Sequence, residues 1–407
     1  KNMTSAGLFR RVASNSSLFL AVATPIDFTT SNTITVDRDF SVDWGDGVQV
    51  AYSAGVSASA IASNAGSGVI TVSSNLAVTN FRFNTDTFVS INVQKSSTVT
   101  SLRRSFQSLT SMTSFAIADT SNVVDFYGAW NVCQGLTSFP LIDTSSGTDF
   151  TICWHLCVGL TAFPLLDFSS GGLFVSAWRG CAGLASFPLI DVSSGTDFSN
   201  AWSTCSSLTL FPLLDVSSGT DFSSAWKSSG LTQFPVILFP SAVDFNGTWG
   251  YCTSLTSFPL LSFPVGTDFE STWIGCTGLT SFPLIDMSAG TNFGSTWRDC
   301  SGLTAFPSIN FSSGTIFVST FWGCSSISSL GSINSTSGTL FSFMFNGCTA
   351  LASIAGIDTT NTSGASIDMF NGCVALASPS SIDPSPPGDP DTNEQYYLAS
   401  SSGYDFN

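Results

Sequence analysis

The side chains with the most chemical reach in this chain are eleven cysteines, ten of which fall at one repeat position, three residues after its ring. The pairs Trp130/Cys133, Trp154/Cys157, Trp178/Cys181, Trp202/Cys205, Trp249/Cys252, Trp273/Cys276 and Trp297/Cys300 are joined by Phe321/Cys324, Phe345/Cys348 and Phe370/Cys373. Thiolates can act as nucleophiles, redox centres or metal ligands. A zinc site wants Cys-x-x-Cys pairs or several histidines, and this chain has neither. His155 is the one histidine, so neither a Ser/His/Asp nor a Cys/His apparatus can be assembled around a second one. Glu270 and Glu394 are the only glutamates, a poor supply for the paired carboxylates of glycoside cleavage. No catalytic residue is assigned, and the chain reads as a non-enzyme.

Aspartate is the other recurrent group. Asp143, Asp167, Asp191, Asp215 and Asp286 fall in one register, and Asp149, Asp197, Asp221, Asp244 and Asp268 in a second. Carboxylates stacked about 4.8 Å apart repel by roughly 3 kcal/mol at an effective dielectric near 20. Hydrogen bonds from their own turns are the expected compensation. A Ca2+ ion held by Asp143, Asp167, Asp191 and Asp215 is the alternative. No other cofactor is expected.

What must position all these groups is a period. The Trp-x-x-Cys pair returns every 24 residues, and a fixed period of this size marks a stacked repeat array. The expected fold is mainly β: a leucine-rich-repeat-like solenoid of about twelve coils over residues 99–378. In the coil from Cys181 to Cys205, Leu184, Phe187 and Leu189 have the spacing of an inward-facing repeat strand. Pro188 within it has no N–H to give, so the strand stops or forgoes a bond. Phe198, Ala201, Trp202 and Cys205 fall at i, i+3, i+4 and i+7, which predicts one helical turn per coil. The Trp ladder, Trp226 included, and the Cys ladder then point into the core. Cys153 falls in a slot that other coils fill with Ala129, Ala177, Ala201, Thr248 or Thr272, as a small buried side chain would.

Residues 31–98 read as a β-sandwich of short runs: Thr33–Val36, Phe40–Asp43, Val48–Ala51, Val69–Val72 and Phe81–Phe83. Residues 1–30 show no clear pattern beyond a first strand at Leu18–Ala23. Residues 379–407 are a proline-rich cap or tail. The array is uneven: Trp226 and Trp249 are 23 apart, and Cys348 and Cys373 are 25 apart, which places a bulge near Asn361–Ser366. A formal charge of −16 excludes nucleic acid and anionic membranes as partners. No run approaches the 18 or more apolar residues of a spanning helix. Lys1 in place of Met points to a processed product or a fragment.

The run "FSVDWGDGVQVAYS" followed by "GSGVITVSS" resembles a PKD-type, immunoglobulin-like sandwich. From residue 99 the pattern [TD]F-x-x-AW-x-x-C-x-x-L-T-x-F resembles the BspA-like leucine-rich repeats of bacterial surface proteins, and the related Mycoplasma-lipoprotein type. The chain departs from that pattern in using Trp where the family favours Phe, and in its Phe-Pro step. The resemblance implies adhesion or surface display rather than catalysis. Similar arrangements occur in phage virion proteins. With no lipobox or anchor in view, a phage fibre, spike or decoration component is the first expectation. A bacterial adhesin, a self-assembling lattice protein and a polysaccharide-degrading fibre enzyme follow.

Positions that vary from coil to coil are where recognition belongs. His155, Arg179, Lys227, Ile274, Arg298 and Trp322 each follow the coil's core ring, and Tyr251 lies beside them. Facing outward, they would bind a host-cell surface glycan or protein. The N-terminal domain would meet other virion or surface proteins, and a homo-oligomer is compatible with the array.

Overall fold

The structure, a computed structural model, describes residues 19–25, 32–60, 69–358, 361, 367–376, 397–399 and 403–405. Strands β1 (Phe19–Pro25) to β9 (Ser114–Ile117) build two sheets at the N-terminal end. The three-stranded sheet runs β5 (Ala58–Ala60), β2 (Asn32–Val36), β7 (Phe81–Phe83). The six-stranded sheet runs β4 (Gln49–Tyr52), β3 (Phe40–Asp43), β6 (Ile70–Ser74), β1, β8 (Phe88–Lys95), β9. Alternation sets the buried faces: Phe40 and Val42 of β3, and Ile70 and Val72 of β6, turn inward. The Asp43–Gly47 turn closes the β3–β4 hairpin. Asp43 Oδ1 accepts from the N–H groups of Gly45 at 2.8 Å and Gly47 at 3.0 Å. Both glycines have positive φ, which only glycine adopts freely.

The first strand expected at Leu18–Ala23 is present as β1, which lies inside the six-stranded sheet between β6 and β8. One expectation needs correction here: the boundary at residues 98 and 99 is no break. β8 pairs in parallel with β9, Ile91 opposite Phe115, so one sheet crosses from the N-terminal part into the first coil.

Beyond β9 the chain repeats. Parallel bridges join Ser101, Asp125, Asp149, Leu173, Asp197, Asp221, Asp244, Asp268 and Asn292 in succession, one per coil. The ring at the Trp position stacks on the next from Phe106 through Trp130 to Phe370. Trp178, Trp202 and Trp226 are typical, with centroids 5.5 and 5.4 Å apart and nearly parallel planes. Neither Trp nor Cys of the repeat is exposed, and Cys153 is equally buried in its Ala/Thr slot.

The expected helical turn is not formed, and the described residues contain no helix. From Phe198 to Cys205 the N–H groups alternate in use. Those of Phe198, Asn200, Trp202 and Thr204 donate to Asp221, Ser223, Ala225 and Lys227 of the next coil at 2.7–2.9 Å. Those of Ala201, Ser203 and Cys205 donate to carbonyls three residues back. Asn200 and Thr204 sit at φ near +57° and +58°. An α-helix would spend every N–H within the segment, whereas this ribbon spends half of them on its neighbour. It still turns Phe198, Ala201, Trp202 and Cys205 inward.

Leu189 is the second local correction, because it points out and Ile190 points in. The Ile190 N–H donates to the Pro188 carbonyl at 3.1 Å. This tight kink follows from proline's fixed φ and missing donor. Regular strand at this position appears as β9 in the first coil and again in the later coils, as β10 (Ala305–Phe306), β11 (Ser329–Leu330) and β12 (Ser353–Ile354), paired in parallel.

The thiols do more than fill space. Cys181 Sγ donates to the Trp154 carbonyl at 3.1 Å and Cys205 Sγ to that of Trp178 at 3.2 Å. The same bond recurs from Cys133 to Cys373. In the Cys153 slot, Thr248 and Thr272 donate likewise to Phe222 and Phe245 of the preceding coil.

One glycine per coil is fixed by close approach. Gly195 lies where Phe174 and Phe198 stack. A Cβ there would collide with the Phe198 ring and stand 3.0 Å from Phe174 Cε2. A natural comparison is built in. Ala242 takes this position in the coil that lacks one residue, and the flanking rings Phe222 and Phe245 are 6.1 Å apart. Phe174–Phe198 and Phe198–Phe222 are 5.4 and 5.3 Å apart. Gly195→Ala is therefore expected to lower stability by about 1–3 kcal/mol. Chemical denaturation measures this, and an unchanged midpoint would show that the rings separate freely.

The bulge expected near Asn361–Ser366 lies outside the described residues, Asn361 apart, as does most of the proline-rich segment. Within that segment β13 (Tyr397–Ala399) pairs antiparallel with β14 (Gly403–Asp405).

Candidate binding faces

The ribbon that buries each Trp turns the next residue to the rim of the coil. Stacking then lines these rim residues up in a file. Arg179 and Tyr251 are exposed, while His155, Lys227, Ile274, Arg298 and Trp322 are half-buried. Several meet across coils. The Arg298 guanidinium lies 4.4 Å from the centroid of the Trp322 ring, and Trp322 in turn meets Phe343 at 5.4 Å. Arg298 Nε also donates to Asp299 Oδ2 at 3.3 Å. Lys227 Nζ stands 5.7 Å from the Tyr251 ring. His155 Nδ1 is 3.0 Å from Asn131 Oδ1. Burial, and then Arg179, holds its pKa below the ordinary histidine value.

Phe343 is a member that sequence reasoning missed. It holds a positive φ of 60° two residues before the core ring Phe345. Bulky residues rarely adopt that conformation. An aromatic where other coils carry Ser295 or Ser319 was the available signal.

Charge is segregated in this part of the chain. After Arg104 the sequence contains only three basic side chains, Arg179, Lys227 and Arg298. All three occupy the same coil position, directly after the core Trp. Asp299 sits beside Arg298, whereas the two Asp files lie elsewhere. Asp191 Oδ1 accepts from Ser193 N–H at 3.0 Å and Ser193 Oγ at 2.7 Å. Asp143 repeats both bonds with Ser145. Asp167 and Asp215 accept the corresponding N–H bonds from Ser169 and Ser217. The serine hydroxyl and N–H hold the Asp167 and Asp215 carboxyls below the ordinary value. In the second file, burial dominates at Asp244 and raises its pKa. No three metal-ligating side chains converge among the described residues. Because each Asp of the first file is capped by its own turn, EDTA is expected to leave the melting temperature unchanged. A fall of many degrees in a thermal scan would assign a structural cation to these carboxylates.

A second face was not foreseen. Leu141, Leu165, Leu189, Leu213, Val236, Leu260 and Leu284, one per coil after each Phe-Pro, are 62–76 % exposed. They form a continuous aliphatic ridge that ends where Ser308 takes the position. Leu210 and Leu238 widen it at the centre. Leu238 and Ser262 stand where neighbouring coils carry the Asp of the first file. The readable signal was two consecutive aliphatic residues after each proline, of which only one can turn inward.

Among the described residues no helix is long and apolar enough to cross a membrane. No family model and no curated protein matches the chain. Among solved structures, it is similar to a leucine-rich cell surface protein from Faecalibacterium prausnitzii A2-165, with 17% identity over 67% of this chain and 79% of that one, at a TM-score of 0.29.

Proposed function

We propose that the chain is a non-enzymatic, surface-displayed binding protein. In this reading a leucine-rich-repeat-like solenoid, mounted on an N-terminal β-domain, presents the file after the Trp ladder to a host-cell surface glycan. The observation that carries it is charge placement: in a chain of net charge −16, the only three basic residues after Arg104 share one file with Trp322, and Tyr251 lies beside that file. Guanidinium and ammonium groups pair with carboxylate or phosphate substituents of a glycan. Indole and phenol rings offer flat apolar faces to sugar rings, with a polar handle at one edge. Spacing by coil suits an elongated polymer rather than a compact ligand. A virion fibre, spike or decoration component is the setting we favour over a bacterial adhesin.

The test is binding of labelled full-length chain to candidate cells and anionic glycans. Arg298→Ala and Trp322→Ala are each expected to weaken binding at least about tenfold, the loss of one cation–π contact plus its ligand partner. Their melting curves should match that of the parent chain. Binding indifferent to both substitutions would remove the file from recognition. Release of shortened glycan would replace the binding reading with an enzymatic one.

A further inference from the structure

The aliphatic ridge takes no part in the face just described, and it needs an occupant. Monomeric proteins rarely leave contiguous apolar patches above a few hundred Å2 uncovered. Seven ridge residues with Leu210 and Leu238, each about two-thirds exposed, present on the order of 400–700 Å2. The half-buried prolines beside them, such as Pro188 and Pro212, add to it. That approaches the roughly 800 Å2 per partner of a standard specific interface.

We propose that the ridge is a self-association surface, on which a second copy of this chain docks in parallel, coil against coil. Pitch is the first argument. The ridge repeats once per coil, at about 4.8 Å, and seven successive contacts require a partner of identical pitch. A second copy has it by construction, and each of its ridge residues meets its own counterpart.

Edge chemistry selects the orientation. Where the pattern is complete, a coil crosses this face along the chain as a hydroxyl edge, the ridge, then a carboxylate edge. Ser186, Leu189 and Asp191 are one example, and Ser138, Leu141 and Asp143 another. A two-fold axis parallel to the stack sets each carboxylate edge against the partner's hydroxyl edge. A two-fold across the stack sets Asp against Asp, which two acidic chains resist. The centre is relieved as well, since Leu238 and Ser262 interrupt the acidic file where the ridge is widest. Association should therefore tighten as added salt screens the remaining repulsion.

Sedimentation of the full-length chain tests the proposal. A dimer is expected at about 10 μM, and Leu213→Asp with Leu260→Asp should weaken it at least about 100-fold. Both leucines are exposed, so the melting temperature of the double variant should hold. A parent chain still monomeric at about 100 μM, or a double variant that dimerises equally well, overturns the proposal. Orientation is read by oxidative cross-linking of Leu141→Cys and Leu284→Cys, one at each end. Parallel docking joins each to its own counterpart. Cross-linking by Leu213→Cys, the middle of the seven, with none by Leu141→Cys or Leu284→Cys, would mean antiparallel docking and overturn the arrangement. The native thiols are all buried and should stay silent.

Discussion

Raising the pH from 9 to about 11 is expected to unfold the coil stack cooperatively, at a pH where ordinary neutral-optimum domains still hold. The cause is the thiol ladder. Burial pushes Cys157, Cys205, Cys300 and Cys373 up to about 12, and Cys252 up to about 11. Burial also raises the thiols of Cys133, Cys153, Cys181, Cys276, Cys324 and Cys348 well above the ordinary value of 9.0. In the unfolded chain each thiol ionises near its ordinary value. Below that value the folded and unfolded states hold the same protons, and the stability is intact. Above it the unfolded state sheds protons that the folded state keeps, so each thiol removes about 1.4 kcal/mol per pH unit.

The five thiols at about 11 to 12 together remove about 7 kcal/mol over the first unit, and the other six add to this. A typical domain has only about 5–15 kcal/mol to lose. Circular dichroism against pH, run beside the reaction of thiols with a maleimide, measures both halves of the claim. No thiol should react below the transition, and all should react above it. Replacing Cys157, Cys205 and Cys300 by Ser keeps a hydroxyl donor at each site, and Ser already takes this position at Ser229, where its Oγ lies 3.3 Å from Cys252 Sγ. It should also shallow the pH slope by about 4 kcal/mol per unit. An unchanged slope in that variant would remove the thiols as the cause.

Removing one ring from the middle of the stack is the other large effect. Trp202 stacks on Trp178 and Trp226, meets Phe187 and Phe211 edge-on at 5.5 and 4.8 Å, and lies 5.9 Å from Phe198. Trp202→Ala is expected to cost about 3–5 kcal/mol, since the neighbouring coils are held by backbone bonds and cannot collapse into the space. Trp202→Phe should cost well under half of that. Phe already holds this position at Phe106, Phe321, Phe345 and Phe370, with Phe321 and Phe345 5.5 Å apart. It also removes an indole Nε1 that is buried without a hydrogen-bond partner, as in all eight tryptophans of the file. Leaving such a group unsatisfied costs about 1–3 kcal/mol. Denaturant midpoints of the two variants would be compared at fixed chain concentration. Equal losses for Ala and Phe would show that the indole makes a contact that a phenyl ring cannot.

The contrast between inward and outward residues was legible from spacing, but the path of the backbone was not. Trp202 and Cys205 recur at i+4 and i+7 from Phe198 whether the chain coils as a helix or zigzags between two left-handed residues. Both routes turn the same side chains inward. A clue was present in glycines two residues from the core ring, such as Gly128, Gly180 and Gly275, which a helix would avoid and a positive φ invites. The hairpin at Asp43–Gly47 was readable because its turn chemistry is local. The place of β1 was not, because its partners in β6 and β8 lie some fifty and seventy residues away. Of the candidate site, the rim positions after each Trp could be named from the beat alone. The leucine ridge could not, because proline reversed which of two adjacent aliphatic residues faces the core.

The coil between Trp226 and Trp249 gathers several departures: a lost residue, Ser229 for Cys, Ala242 for Gly, and the 6.1 Å ring gap. Coils joined only to their neighbours bear an axial pull as links in series, and every link carries the whole load. Such a series parts at its softest member. Under an axial pull this coil, with its wider ring gap, is the expected place of parting, and it divides the stack into two segments.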